Sequence, residues 1–128
     1  MKTKQETIST PTIEEKLKSD LLFWQERLRL RDWDIQLIVS MTVQKMGTCR
    51  KLSDYKAAEI EIMHPTAIPH HWLCCKDPEV TLVHELLHLQ GETRDDFIGT
   101  NERWKDHQER VIELTAIALV RLRREAHS

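Results

Sequence analysis

The stretch Asp77-Pro78-Glu79-Val80-Thr81-Leu82-Val83-His84-Glu85-Leu86-Leu87-His88-Leu89-Gln90-Gly91 decides how the rest of the chain is read. It opens with a capping acid, a proline suited to the first helical position, and a second acid near the positive helix end. It closes on a glycine. The spacing predicts one helix running to about Gln90, with Val80, Val83, Leu86 and Leu87 as packing positions. On that helix His84 and His88 are four apart, so their rings share one face, one turn above the other. Two imidazoles so placed can converge on one metal ion at about 2.0–2.1 Å. Glu85, next to the first histidine, can reach a metal-bound water and take its proton as general base. The pattern His-Glu-x-x-His arises in roughly 3% of shuffled chains of this composition. Two histidines and a glutamate in a largely apolar helix are costly to bury without partners, and a metal supplies them.

A catalytic zinc takes three protein ligands and keeps one position open. One source for the third ligand is a residue soon after Gly91, as in the extended metzincin pattern. Here Arg94 stands at the ligand position, Asp95 is one residue off, and no Met-turn segment follows. A second source is the last predicted helix, where Glu109 and Glu113 are four apart on one face. One of them can bind metal while the other accepts a hydrogen bond from a ligand histidine. Alternatively, both are solvent-facing charges paired with Arg103 or Arg110. His107 is a minor third source, since it points about 200° away from Glu109.

Working outward, Ile13, Leu17, Leu21, Trp24 and Leu28 recur at spacings of three and four, which predicts an N-terminal helix. Thr10 with Pro11 can begin it, and Thr12 with Glu15 can form a capping box. Trp33, Ile35, Leu37, Val39 and Met41 alternate with mostly polar residues and predict a half-buried strand. Gly47 to Leu52 and Ala58 to Met63 predict two more. Residues 65–77 show no period and read as a loop. A final helix starts near Thr100 or Asn101, with Trp104, Val111, Leu114, Ala118 and Leu122 as its expected buried face. Ala116 and Ala118 would let it pack close to the motif helix. The expected architecture is α+β: a helix, a small three-stranded and mainly antiparallel sheet, the motif helix, and a C-terminal ligand-bearing helix. Residues 1–11 read as a flexible tail and 12–128 as a single domain.

The 128 residues suit one domain, with a core large enough to fold without disulfides. A net charge of −2 gives no electrostatic case for nucleic acid or an anionic membrane. On that balance Arg121, Arg123 and Arg124 read as complements to the helix dipole. The three cysteines, Cys49, Cys74 and Cys75, form no disulfide framework. Cys74 and Cys75 read as small, partly buried thiols, although a thiolate can ligate zinc. Trp24, Trp33, Trp72 and Trp104 read as core anchors, with Trp72 also placed to line a cleft. No apolar leader or membrane span is evident, so the expectation is a cytoplasmic protein without membrane partners.

With His84, Glu85 and His88 in place, and Glu109 on a following helix, the chain resembles minimal gluzincin-type zinc metallopeptidase domains. These are the small kind found in phage and prophage proteins, similar to SprT-like and minigluzincin domains. The resemblance implies a zincin-like fold over roughly residues 12–124 and one Zn2+ per chain. It implies His84, His88 and Glu109 as metal ligands, Glu113 as support for a ligand histidine, and Glu85 as the catalytic base. Gln108 and Ile112 stand where larger gluzincins carry Asn and Ser. The implied activity is hydrolysis of peptide bonds through a zinc-bound water. Peptide or protein would be the substrate, laid as a strand along a sheet edge, for which Ala58–Met63 is the candidate. Tyr55, His64, His70 and His71 are the candidate oxyanion donors. At this size a partner chain could complete the cleft. The alternative function is a non-catalytic zinc-binding module in a phage-derived or regulatory assembly.

Overall fold

A computed structural model of the chain describes residues 12–41, 45–52, 55–72, 76–91 and 102–127, excluding the side chains of Glu102 and Trp104. The expected tail, Thr10, Arg94, Asp95, Cys74 and Cys75 lie outside the described residues, as does the side chain of Trp104. Helix α1 spans Ile13–Arg27 and starts at a complete capping box. The Thr12 hydroxyl accepts from Glu15 N, and the Glu15 carboxylate accepts from Thr12 N. Thr12, not Thr10, is therefore the cap. The predicted stripe holds: Leu17, Leu21, Trp24 and Leu28 are buried and Ile13 packs against them.

Three strands follow: β1 (Asp34–Ser40), β2 (Gly47–Lys51) and β3 (Ala57–Met63). Their order is β1-β3-β2, with β1 parallel to β3 and β2 antiparallel to it. The sheet is thus mixed, not mainly antiparallel. The reason is burial. Ala58, Ile60 and Ile62 have no exposed surface, so β3 takes the centre, where both of its backbone edges are paired. The chain reverses between β1 and β2 and again between β2 and β3. Inserting β3 between the other two makes it parallel to β1. Ala57–Met63 therefore has no free edge for a substrate strand; among the described strands, the outer strand that packs on the motif helix is β2.

A short 3-10 turn at Pro65–Ala67 leads towards α2, Pro78–Gln90. Helix α2 has the predicted limits: Asp77 is its N-cap, accepting from Glu79 N, and Gly91 is its C-cap. Helices α1 and α2 pack against each other and against the sheet, and Val80, Leu82, Val83, Leu86 and Leu89 join the strand residues in one core. Helix α3, Glu102–Ala126, packs on α2.

The buried face of α3 is not the predicted one. Ile112, Ala116 and Val120 are buried, whereas Val111, Leu114 and Leu122 are 47%, 61% and 61% exposed and Ala118 is exposed as well. Both faces are apolar enough to be covered, so polar partners decide the rotation. The chosen one turns Glu109 and Glu113 towards α2 and brings Arg123 and Arg124 onto acids of α1 and α2. Arg123 Nη1 donates to Asp20 Oδ1 at 2.8 Å and to Glu79 Oε2 at 2.7 Å, with its guanidinium 3.7 Å from the centre of the Phe23 ring. Trp24 Nε1 also donates to Glu79 Oε2, at 2.8 Å. Arg124 binds Asp77 and Glu79. These two arginines therefore clamp three helices together, a role beyond dipole complementation.

Candidate metal centre

The motif residues occupy the face of α2 that turns from the core towards α3. Leu82, Val83 and Leu86 hold the opposite side of the helix in the core, fully buried, which fixes the direction of His84 and His88. The rings of His84 and His88 are 5.0 Å apart between centroids. The Glu109 carboxylate spans them: Oε2 lies 3.0 Å from His84 Nε2, and Oε1 lies 2.8 Å from His88 Nε2. The other nitrogen of His84, Nδ1, is 2.8 Å from Glu113 Oε1. Glu109 and Glu113 thus meet the same histidine from its two sides.

The ligand atoms of His84, His88 and Glu109 all lie within 4.8 Å of one another, close enough to hold one metal ion. The hydrogen-bond inventory makes the same case. A neutral imidazole has one N–H and one lone pair. With carboxylate oxygens at both nitrogens of His84, a neutral ring satisfies only one of them, and either a second proton or a cation satisfies the other. A cation held by His84 and Glu109 would relieve one contact and would leave the ring N–H for Glu113.

Glu85 is 8% exposed. Burial pushes its carboxyl above the ordinary glutamate value of 4.5, opposed by the neighbouring His84 and His88 and reinforced by Glu109. A carboxylate of raised basicity next to a candidate metal group is suited to proton transfer. In front of it opens a cleft of about 550 Å³, with His84, Glu85, His88 and Glu109 on one wall and β2 on the other. A second lobe of about 390 Å³ shares Gly47, His84, Glu85 and Glu109 and extends to Met46, Arg110 and Glu113.

The structure brings together five predicted residues: His84, Glu85, His88, Glu109 and Glu113. The others lie elsewhere. His107 is exposed on α3 and is not part of the ligand group. Tyr55 is 82% exposed, and neither it nor His64, His70, His71 or Trp72 lines the cleft. His64 instead caps the turn at Pro65, its Nδ1 accepting from Thr66 N.

What the sequence reading missed is the β2 wall: Lys45, Gly47, Thr48, Cys49 and Lys51. Its signal was Gly47, since a lone glycine in a strand marks close backbone approach. Comparison of the chain with protein-family models, with curated proteins and with solved structures returned no match.

Proposed function

We propose that this chain is a zinc-dependent peptidase of minimal gluzincin type. The observation that carries the proposal is the Glu109 carboxylate bridging His84 Nε2 and His88 Nε2 beside buried Glu85, at the floor of an open cleft. Two imidazoles and one carboxylate form a donor set that suits zinc among the metals of hydrolases. Zinc held there supplies Lewis acidity towards a scissile carbonyl and a water molecule.

The remaining work falls to the chain itself. His84, His88 and Glu109 are the ligands. Glu113 holds His84 Nδ1–H and so fixes the tautomer that presents Nε2 to the ion. Glu85 takes a proton from the attacking water on a carboxylate oxygen and delivers it to the leaving amine. The outer strand β2 forms the cleft wall along which an extended peptide lies.

A non-catalytic zinc module leaves the burial of Glu85 and the cleft without a use. The test is hydrolysis of a mixed peptide pool by the zinc-loaded chain, read by mass spectrometry. The proposal predicts cleavage that a chelator abolishes and added zinc restores. Cleavage indifferent to the chelator, or none with zinc bound, overturns it.

A further inference from the structure

We infer that the outer face of α3 docks an amphipathic helix of a partner protein, one that carries acidic residues along one flank. The inference goes beyond the peptidase reading and holds without it. Helix α3 packs on α2. At 100° per residue, Val111, Leu114, Ala118 and Leu122 fall on the side turned away from α2, opposite the buried Ile112, Ala116 and Val120. All four are exposed, Leu114 and Leu122 at 61% each. Their spacing of three, four and four residues makes a stripe about 16 Å long, the pattern by which one helix buries itself against another. Ala118, in its middle, lets a second axis come close. A continuous apolar strip of this kind differs from singly scattered surface residues and marks an interaction face.

One edge of the stripe is basic. Arg103, Arg110 and Arg121 lie within about 20° of one another around the helix axis. All three are exposed, and among the described residues none takes part in an ion pair or a side-chain hydrogen bond. The other edge, Gln108, Thr115 and Leu122, carries no charge. His107 and Glu125, at the two ends of the face, already have partners. Arg110 also lines the second lobe of the cleft, so a helix docked here borders the candidate site.

This one-sided charge selects the occupant. In a second copy related by a two-fold axis, antiparallel helices set the basic edge against itself, and parallel ones set it against the uncharged edge. Neither arrangement supplies acids to the arginines, and the first repels. A flat anionic surface meets both edges alike and gains from only one of them. A single partner helix laid along the stripe places Glu or Asp on the flank that faces the arginines and apolar residues over the leucines, which satisfies both features.

Two synthetic helical peptides are the probes, both with leucines at helical spacing, one with Glu and the other with Lys along one flank. Fluorescence anisotropy of the labelled peptides reads their binding to the full chain, with no turnover required. The Glu peptide should bind about tenfold or more tighter than the Lys peptide at low salt, with the difference shrinking as salt is added. Leu114→Gln with Leu122→Gln should weaken it about tenfold or more, and an unchanged thermal melt shows that these exposed changes leave the fold intact. Arg103→Glu, Arg110→Glu and Arg121→Glu combined should reverse the preference towards the Lys peptide, which a damaged fold cannot do. Equal binding of the two peptides, no binding, or a preference indifferent to the charge reversal overturns the inference. A chain that sediments as a dimer until Leu114 and Leu122 are replaced overturns it in favour of a second copy. A chain that binds phosphatidylglycerol–phosphatidylcholine vesicles through these residues, but neither peptide, overturns it in favour of a membrane.

Discussion

A Cβ built on Gly47 would lie 2.5 Å from Thr81 Cγ2 and 3.3 Å from Glu85 Oε2, so β2 meets α2 at a contact that only glycine permits. Thr81 is buried and its methyl group is held on the helix, so it has little room to yield. This contact sets the width of the cleft beside the proposed base. Gly47→Ala should push β2 outward and cost about 1–3 kcal/mol of stability, as overpacking does. Zinc content should hold, because no ligand moves with β2, while peptide hydrolysis falls. Urea unfolding and elemental analysis check this. Wild-type stability and hydrolysis in the variant would refute it.

Glu109 and Glu113 should separate in a metal titration. Glu109→Ala deletes a proposed ligand and should abolish stoichiometric zinc. Glu113→Ala removes only the support of His84 Nδ1 and should weaken binding about 10- to 100-fold. A competition titration with a zinc-sensitive dye measures both. The reverse order would exchange the two roles and keep the site.

Acid should unfold this protein through the clamp between α1, α2 and α3. Burial pushes the Glu79 carboxyl up, but hydrogen bonds from Trp24, Arg123 and Arg124 outweigh it and leave it below 4.5. Asp77 is likewise lowered below 3.8, burial opposing and Arg124 prevailing. A carboxyl lowered by folding contributes stability above its unfolded value, and that contribution fades as pH falls through the folded value. The thermal midpoint should therefore change little from neutral pH to about pH 5 on account of these groups, then drop below about pH 4. Glu79→Gln should start lower at pH 7 and show a shallower acid limb. Glu79→Ala should lose about 1–3 kcal/mol at neutral pH, because Trp24 Nε1 loses its acceptor while Arg123 keeps Asp20 and Arg124 keeps Asp77. Thermal melts by circular dichroism from pH 7 to 3 decide the point, and an unchanged acid limb in Glu79→Gln would count against it.

The helices were legible because local chemistry marks their ends. Thr12 with Glu15, Asp77 with Pro78, and Gly91 each satisfy backbone groups at a terminus, and all three lie where the sequence places them. The His84–His88 spacing was legible for the same reason, since helical geometry brings the rings together. Sheet order was not legible. Nothing local to β1 says which edge it joins; the burial of Ile60 and Ile62 does, and that is a property of the assembled core. The rotation of α3 was hidden because Val111, Leu114 and Leu122 form an apolar stripe as regular as the buried Ile112, Ala116 and Val120. Long-range pairs settle it: His84 with Glu113, and Arg123 with Asp20.

The central claim is that Glu85 moves the proton at a zinc site built by His84, His88 and Glu109. The most direct test compares the wild-type chain with Glu85→Gln, measuring zinc content and hydrolysis of the same peptide pool together. The account predicts about one zinc per chain in both. It predicts hydrolysis lower by about 10²- to 10⁴-fold in Glu85→Gln, the usual worth of a positioned base. Equal hydrolysis by the two zinc-loaded chains would contradict it.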